Sequence, residues 1–281
     1  MPREAPRTLH SLSPDYQDGV SGDDYEIIAI ENGSSRRLAG GEVEAIAQNI
    51  RYHYHATDSV SPAAAVNRAA AVARGEALAI IVDGARMATP GLVAGTLRGM
   101  ALFPDAVVGA LAWHLGPDVQ NKSMLDGYDQ RAEDALLASI DWPADGYRLF
   151  EIATLAQSSA MGFLRHLPSE YSWVALSAGR FRALGGFCEQ FTSPGGGLVN
   201  QHFRNRLMQV PNIRPVMLLG EGVFHQFHGG VATNVPMDRH PIKDFKAEYE
   251  QIVGEPFRAY PTPPITWLGT MPEAARRFIG R

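Results

Sequence analysis

The chain has one cysteine in 281 residues, Cys188, so no disulfide can form within it and its stability must come from packing. A lone cysteine agrees with a reducing compartment and reads either as a reactive thiol or as a small buried apolar residue. Long apolar runs are lacking too: nothing approaches the roughly eighteen consecutive apolar residues of a membrane span. The opening MPREAPRTLH has no apolar core of the kind that marks a signal peptide. These absences predict a cytoplasmic protein with no membrane span. Positive charge is not in excess, since 25 Lys and Arg face 30 Asp and Glu for a net charge of −5. A globally basic surface for nucleic acid is thereby excluded. No internal repeat is visible. At 45% hydrophobic residues the chain can bury a substantial core, as one large or two small domains.

The most informative stretch is SPAAAVNRAAAVARGEALAIIVDGARMATPGL, residues 61–92. Ser61 and Pro62 suit an N-cap and first helical position, and Gly75 suits a left-handed helix exit. The apolar run Ala77–Val82 predicts a strand buried on both faces of a parallel sheet. It ends at Asp83, where open α/β sheets bind ligands. Thr89 and Pro90 then start the next helix.

Elsewhere, Glu4–Leu12 predicts a short helix and residues 25–35, YEIIAIENGSS, a strand leaving through the polar turn Glu31-Asn32-Gly33-Ser34. Val43–Asn49 reads as helical and Ile50–Tyr54 as a short strand. Leu92–Leu102 predicts a helix, Ala106–Trp113 a buried strand, and Asp129–Ile140 a helix with Ala132, Leu136 and Ile140 on one stripe. Regular alternation fades beyond Trp142-Pro143. Arg214–Gly220 predicts a late strand followed by the glycine-flanked loop GEGVFHQFHGG, and Ile242–Val253 and Pro272–Ile279 predict two further helices. The alternation argues for a parallel sheet with helices on both faces.

In order, IAIENGSS, AVNRAAAVARGEALAIIVDGAR, SAGRFRALGGFCEQF and GEGVFHQFHGG resemble the family-2 glycosyltransferases of the GT-A fold. The resemblance spans about residues 3–230. It implies a Rossmann-type, mostly parallel α/β sheet flanked by helices, with an acceptor-side α+β half. On that basis residues 1–236 form the transferase domain, 1–115 being its nucleotide-binding half and 116–236 its acceptor half, and residues 237–281 form a helical, proline-rich tail. The implied function is transfer of a sugar, with inversion, from a UDP-, GDP- or dTDP-linked donor to a glycan or small-molecule acceptor. A non-catalytic sugar-nucleotide or glycan-binding relative is the alternative of another class. A nucleotidyltransferase would want a basic, glycine-rich phosphate loop after the first strand, and none is present.

Departure of the sugar leaves extra negative charge on a diphosphate, which a divalent cation and fixed dipoles offset. The resemblance places Asp83 at the first position of an Asp-x-Asp metal motif whose second acid is here Ala85. Arg86, next along, can neutralise phosphate directly. Carboxylate and histidine ligands suit Mn2+ or Mg2+, and His225 and His228 stand where the family's late loop returns to the site. Asp83 also reads as a turn cap before Gly84. Glu31 resembles the acid that reads the nucleotide base, and equally reads as a solvated turn carboxylate. Asn67 and Arg68 either reach the nucleotide or form the exposed face of their helix. An inverting transferase needs a carboxylate base, and Glu189 of GGFCEQF is the nearest candidate by position. No further acid occurs before Glu221; His202 stands where one is expected and also reads as a helix-surface residue.

The family's fold begins with an apolar strand that lies centrally, beside the strands ending at Glu31 and Asp83, and residues 1–3 leave no room for it. The expectation is that Met1 is an internal start, and that without the central strand either a gap or unpaired edges remain in the sheet.

Overall fold

The structure is a computed structural model that describes residues 1–156 and 172–278. Helix α1 (Glu4–Ser11) buries Leu9 and uses its small polar residues to dock. The Thr8 hydroxyl donates to Gly84 O (2.9 Å), and Ser11 Oγ accepts from Ala88 N (2.8 Å). Strand β1 (Ile27–Asn32), helix α2 (Gly40–Glu44) and strand β2 (Ile50–His55) follow. β1 and β2 pair in parallel, Ile27 opposite Ile50 through Asn32 opposite His55, as a sheet of their own. Helix α3 (Ala63–Val72) starts where Ser61 Oγ accepts from Ala63 N (3.4 Å). It ends at Val72 and not at Gly75, because Ala73 already turns to extended backbone at φ −68°, ψ 139°.

Strands β3 (Ala77–Ile80) and β4 (Arg86–Ala88), helix α4 (Leu92–Ala101) and the wholly buried strand β5 (Ala106–Leu115) complete the first half. The rest comprises α5 (Gln120–Ser123), α6 (Gln130–Ala138), β6 (Ala153–Leu155), β7 (Val174–Ser177), α7 (Ala178–Ala183), α8 (Val199–Met208), β8 (Arg214–His225), α9 (Ile242–Val253) and β9 (Thr266–Gly269). Asp129 caps α6, its carboxylate accepting from the amides of Arg131 and Ala132, as the short acceptor side chain before a helix should. The stretch expected as a last helix forms a 3-10 helix over Glu273–Phe278.

The larger sheet has seven strands in the order β3-β7-β5-β8-β4, with β6 added to β5 and β9 to β8. It is mixed, which corrects the expectation of a mostly parallel sheet. Only β5 with β8 and β8 with β9 run parallel, because β6 and β7 return from the second half in the opposite sense. β3 is likewise not buried on both faces: Leu78 and Ile80 point inward while Ala77 and Ala79 are exposed, the alternation of an end strand covered on one side. Residues 237–278 are joined to this sheet through β9.

β8 differs most from its expected form. It continues five residues past Gly220, to His225, because it bulges. Gly109 lies opposite Met217, but Leu111 lies opposite Gly222, so the ladder with β5 is interrupted there, while Leu218 and Leu219 stay paired with β9, and the ladder then resumes in a shifted register. Glycine is needed at the resumption, since a Cβ on Gly222 would fall 2.1 Å from the Trp113 ring. Trp113, Phe150 and Phe224 pack there with ring centroids 4.9–5.6 Å apart. No helix among the described residues is long and apolar enough to cross a membrane.

Candidate functional site

β5 and β8 run parallel and end together, with His114 opposite His225, and β4 brings Arg86 opposite His225 from the other side. One row of the sheet thus carries two imidazoles and a guanidinium at the carboxyl ends of its central strands. Asp83 enters from the turn between β3 and β4 with φ 105°, a backbone conformation that costs a non-glycine residue on the order of 1–3 kcal/mol. That turn is tied by Ala85 N donating to Asp83 Oδ1 (3.2 Å). Ala85 itself is fully buried, so the residue at the expected second acidic position points into the core.

Three donor atoms converge. Asp83 Oδ2 lies 3.1 Å from His225 Nε2 and 3.3 Å from His228 Nε2, and the two Nε2 atoms are 3.1 Å apart. Donors about 2.1 Å from one shared cation and separated by these distances would subtend angles of about 95–105°, between octahedral and tetrahedral values. One carboxylate and two imidazoles suit Mn2+ and related metals better than Mg2+, which prefers oxygen. The residues therefore fit a divalent cation, and this is the one such cluster among the described residues.

The protonation states suit the same role. Burial pushes His225 down to about 4, overriding the pull of the Asp83 carboxylate, so its ring is neutral at neutral pH. Burial acts to raise the Asp83 carboxyl, but hydrogen bonds to His225 and His228 outweigh it and hold the group well below its usual range. Burial also holds His114 neutral.

A buried polar layer supports the cluster. Gln120 Oε1 meets His225 Nδ1 and accepts from Asn234 Nδ2, both at 2.9 Å. Asn234 Oδ1 accepts from the amides of His228, Gly229 and Gly230 at 2.8–3.2 Å. The peptide of Phe227, between the two histidines, is gripped on both sides. Its N–H donates to Glu133 Oε2 (2.7 Å), and Arg3 Nη1 donates to its carbonyl (3.2 Å). Sequence reasoning missed His114, Gln120, Glu133 and Asn234. His114 at the end of an apolar strand was the one available signal; the others are recognisable only from partners roughly 100 residues away.

The remaining candidates lie elsewhere. Glu31, at the end of β1, is buried; one oxygen accepts from Tyr52 OH (2.5 Å) and Leu38 N (3.0 Å), and the other has no partner among the described residues. Burial acts to raise its carboxyl, yet these hydrogen bonds leave it lowered. Beside it in the smaller sheet, the Arg37 guanidinium stacks 3.6 Å from the Tyr54 ring centroid. Asn67 faces the Gly-Gly-Phe turn: Oδ1 accepts from Phe187 N (2.8 Å), and Nδ2 donates to Phe187 O (2.9 Å) and Glu189 Oε1 (2.8 Å). Glu189 lines an open concavity of about 560 Å³ with Cys188, His202 and Arg206. Among the described residues it makes no hydrogen bond or ion pair with Asp83, His225 or His228.

No protein-family model matches the chain, and no curated protein matches it by sequence. Among solved structures, it is similar to the crystal structure of S. aureus TarS 1–349 in complex with UDP, with a TM-score of 0.50 at 12% identity. The match covers 81% of this chain and 57% of that chain, so the protein spans little more than half the length of the structure it resembles. At this identity the likeness is one of fold: helices flanking a multi-stranded sheet, shared with a protein solved with a bound nucleoside diphosphate.

Proposed function

We propose that this protein is a glycosyltransferase that takes a sugar from a nucleotide-diphospho-sugar, with Asp83, His225 and His228 holding Mn2+ or Mg2+ against the diphosphate. The observation that carries this reading is the convergence of the three donor atoms within 3.3 Å of one another at the ends of β5 and β8. The sequence motifs and the fold shared with a UDP-bound protein support it. When bound, the cation supplies positive charge where the leaving diphosphate gains negative charge. Arg86, in the same row of the sheet, adds a guanidinium suited to phosphate. Glu31 offers its unpartnered oxygen to an N–H of the nucleotide base, and the buried site makes that acceptor selective. Glu189, held by Asn67 through one oxygen, takes the acceptor hydroxyl's proton with the other, and the sugar inverts.

A non-catalytic nucleotide-sugar or glycan-binding protein is the second reading. It is favoured by the burial of Ala85 and by the placing of Glu189 in a concavity to which Asp83 does not contribute. Thermal-shift and calorimetric titration with UDP-, GDP- and dTDP-sugars, with and without Mn2+, tests both, with nucleotide release as the measure of turnover. Mn2+-dependent binding with release supports transfer or donor hydrolysis, and binding without release supports the second reading. No binding of any donor refutes transfer and nucleotide-sugar binding alike, and leaves only the glycan-binding form of the second reading.

A further inference from the structure

We infer that Thr8, on helix α1, is a positioning residue whose hydroxyl ties the residue after Asp83 to the residue after His225 and so sets the spacing of the two ligands. The inference rests on the metal reading above for its purpose and adds to it a group outside the donor set.

Asp83 and His225 lie 142 residues apart, on the turn between β3 and β4 and at the end of β8. One backbone bond joins those segments directly, Gln226 N donating to Ala85 O (2.8 Å). Thr8 adds a tie from a third segment. It is buried, and its hydroxyl donates to Gly84 O (2.9 Å) and accepts from Gln226 Nε2 (3.3 Å). A hydroxyl has one proton and a carbonyl oxygen has none to give, so the proton goes to Gly84 and a lone pair is left for Gln226. Gln226 is fully buried too, and its amide must turn nitrogen towards α1, because Nε2 also donates to Glu4 O (3.2 Å). The amide oxygen has no partner among the described residues, so this side chain is held through its NH2 group alone.

Two features carry the tie to the cluster. Asp83 holds φ 105°, and a strained residue keeps such a conformation only where its surroundings over-determine it. Thr8 fixes the carbonyl of the next residue, while Ala85 N fixes Asp83 Oδ1. On the other side, α1 grips successive residues of the histidine segment: Glu4 and Thr8 hold Gln226, and its neighbour Arg3 donates to Phe227 O (3.2 Å). One short helix thus braces the carboxylate against the imidazoles. If either segment shifts, Asp83 Oδ2 leaves its place 3.1 Å from His225 Nε2, and the shared coordination sphere opens. Groups behind the ligands typically change metal affinity by about 10- to 100-fold when removed.

The test combines Mn2+ titration followed by the EPR signal of the free ion, thermal melts, and amide hydrogen exchange in metal-free protein. Thr8→Val keeps the branched shape and removes the hydroxyl; Mn2+ binding should weaken about tenfold, and the Gln226 amide should exchange faster. Thr8→Ser keeps the hydroxyl and should restore both. Thr96→Val is the matched control. The Thr96 hydroxyl also donates to a backbone carbonyl, Leu92 O (2.7 Å), and accepts from a side-chain N–H, Trp173 Nε1 (3.0 Å), but neither partner belongs to the segments of the cluster. Its loss should lower Tm and leave Mn2+ affinity unchanged. A folded Thr8→Val protein with wild-type affinity overturns the inference, as does an equal loss of affinity in Thr96→Val or no recovery in Thr8→Ser. If Thr8→Val does not fold, Gln226→Met removes the same bond from its other end and is judged in the same way. A wild type that binds no Mn2+ refutes the metal reading and leaves Gln226 exchange to decide the tie, whereas Mn2+ binding indifferent to the hydroxyl refutes this inference alone.

Discussion

Asn67→Ala should act on stability before it acts on ligand binding. Both N–H groups of the Asn67 amide are spent on Phe187 O and Glu189, and its oxygen receives Phe187 N. Truncation leaves the backbone N–H and carbonyl of Phe187 without partners beneath a side chain that is buried in the core. A buried unpaired polar group costs about 1–3 kcal/mol, and partial access of water around Asn67 favours the lower end, giving about 2–3 kcal/mol in all. For a chain of this size that corresponds to a fall in Tm of roughly 4–6 °C. Asn67→Asp should be worse, since it turns a donor into a second carboxylate facing Glu189. Gly186, at φ +66°, sits so close that a Cβ there would meet Asn67 Oδ1 at 2.3 Å, so the contact has no slack. The assays are thermal melts followed by circular dichroism, and nucleotide titration with Mn2+ well below the melting range. A Tm within 2 °C of wild type (the margin taken as about 1 kcal/mol) combined with lost nucleotide affinity would refute the reasoning and return Asn67 to direct ligand contact.

Asp83→Asn preserves shape and removes the anionic donor; Mn2+-dependent nucleotide affinity should fall at least about tenfold, measured by calorimetry, while the fold remains intact. The depressed pKa of His225 carries a pH dependence of definite sign. The unfolded chain takes up that proton near pH 6.5 and the folded one only near 4, so this group's contribution falls as pH drops through that window, by about 3 kcal/mol, and levels off below it. His114 adds in the same direction, while Glu133 and Glu221, whose carboxyls burial raises, oppose it by favouring the folded state at low pH. Urea midpoints of wild type and His225→Gln at pH 7 and pH 5 isolate the histidine; an equal pH slope in both would contradict it. Gly222→Ala should destabilise by about 1–3 kcal/mol or more, because its Cβ overlaps the Trp113 ring, and a stability equal to wild type would show that the ring can move aside.

Much of the fold is legible in local signals. Ile242–Val253 reads as a helix from its apolar spacing and is one, and β5 reads as buried from its unbroken apolar run. Asp83, His225 and His228 stand out because glycine turns and a strand end flank them, and the structure brings them together. Strand direction is not local: ALAI at β3 has the composition of a buried parallel strand, yet it pairs antiparallel with β7, almost 100 residues later. The extension of β8 to His225 was hidden for a different reason. Gly220 and Gly222 look like loop residues, and only the bulge against β5 and the bulk of Trp113 make them strand residues. Asn67 and Gln120 show the limit most clearly, since a buried amide can serve a ligand or a backbone, and the difference lies in partners supplied by distant segments.

The separation of the two sheets has a mechanical consequence. Among the described residues, β1 and β2 share ladder hydrogen bonds only with each other, and they rest on a small apolar cluster of Leu9, Val43 and Ile50. A two-stranded sheet is marginal by itself, so this part of the molecule is held by side-chain contacts and not by a continuous hydrogen-bonded ladder. Glu31 therefore rides on a panel that can loosen as a unit while β5 and β8 stay closed. A donor reaching from Glu31 to the Asp83 cluster would cross that seam and splint the panel to the frame, so the same contacts that recognise the nucleotide would also set the stiffness of the site.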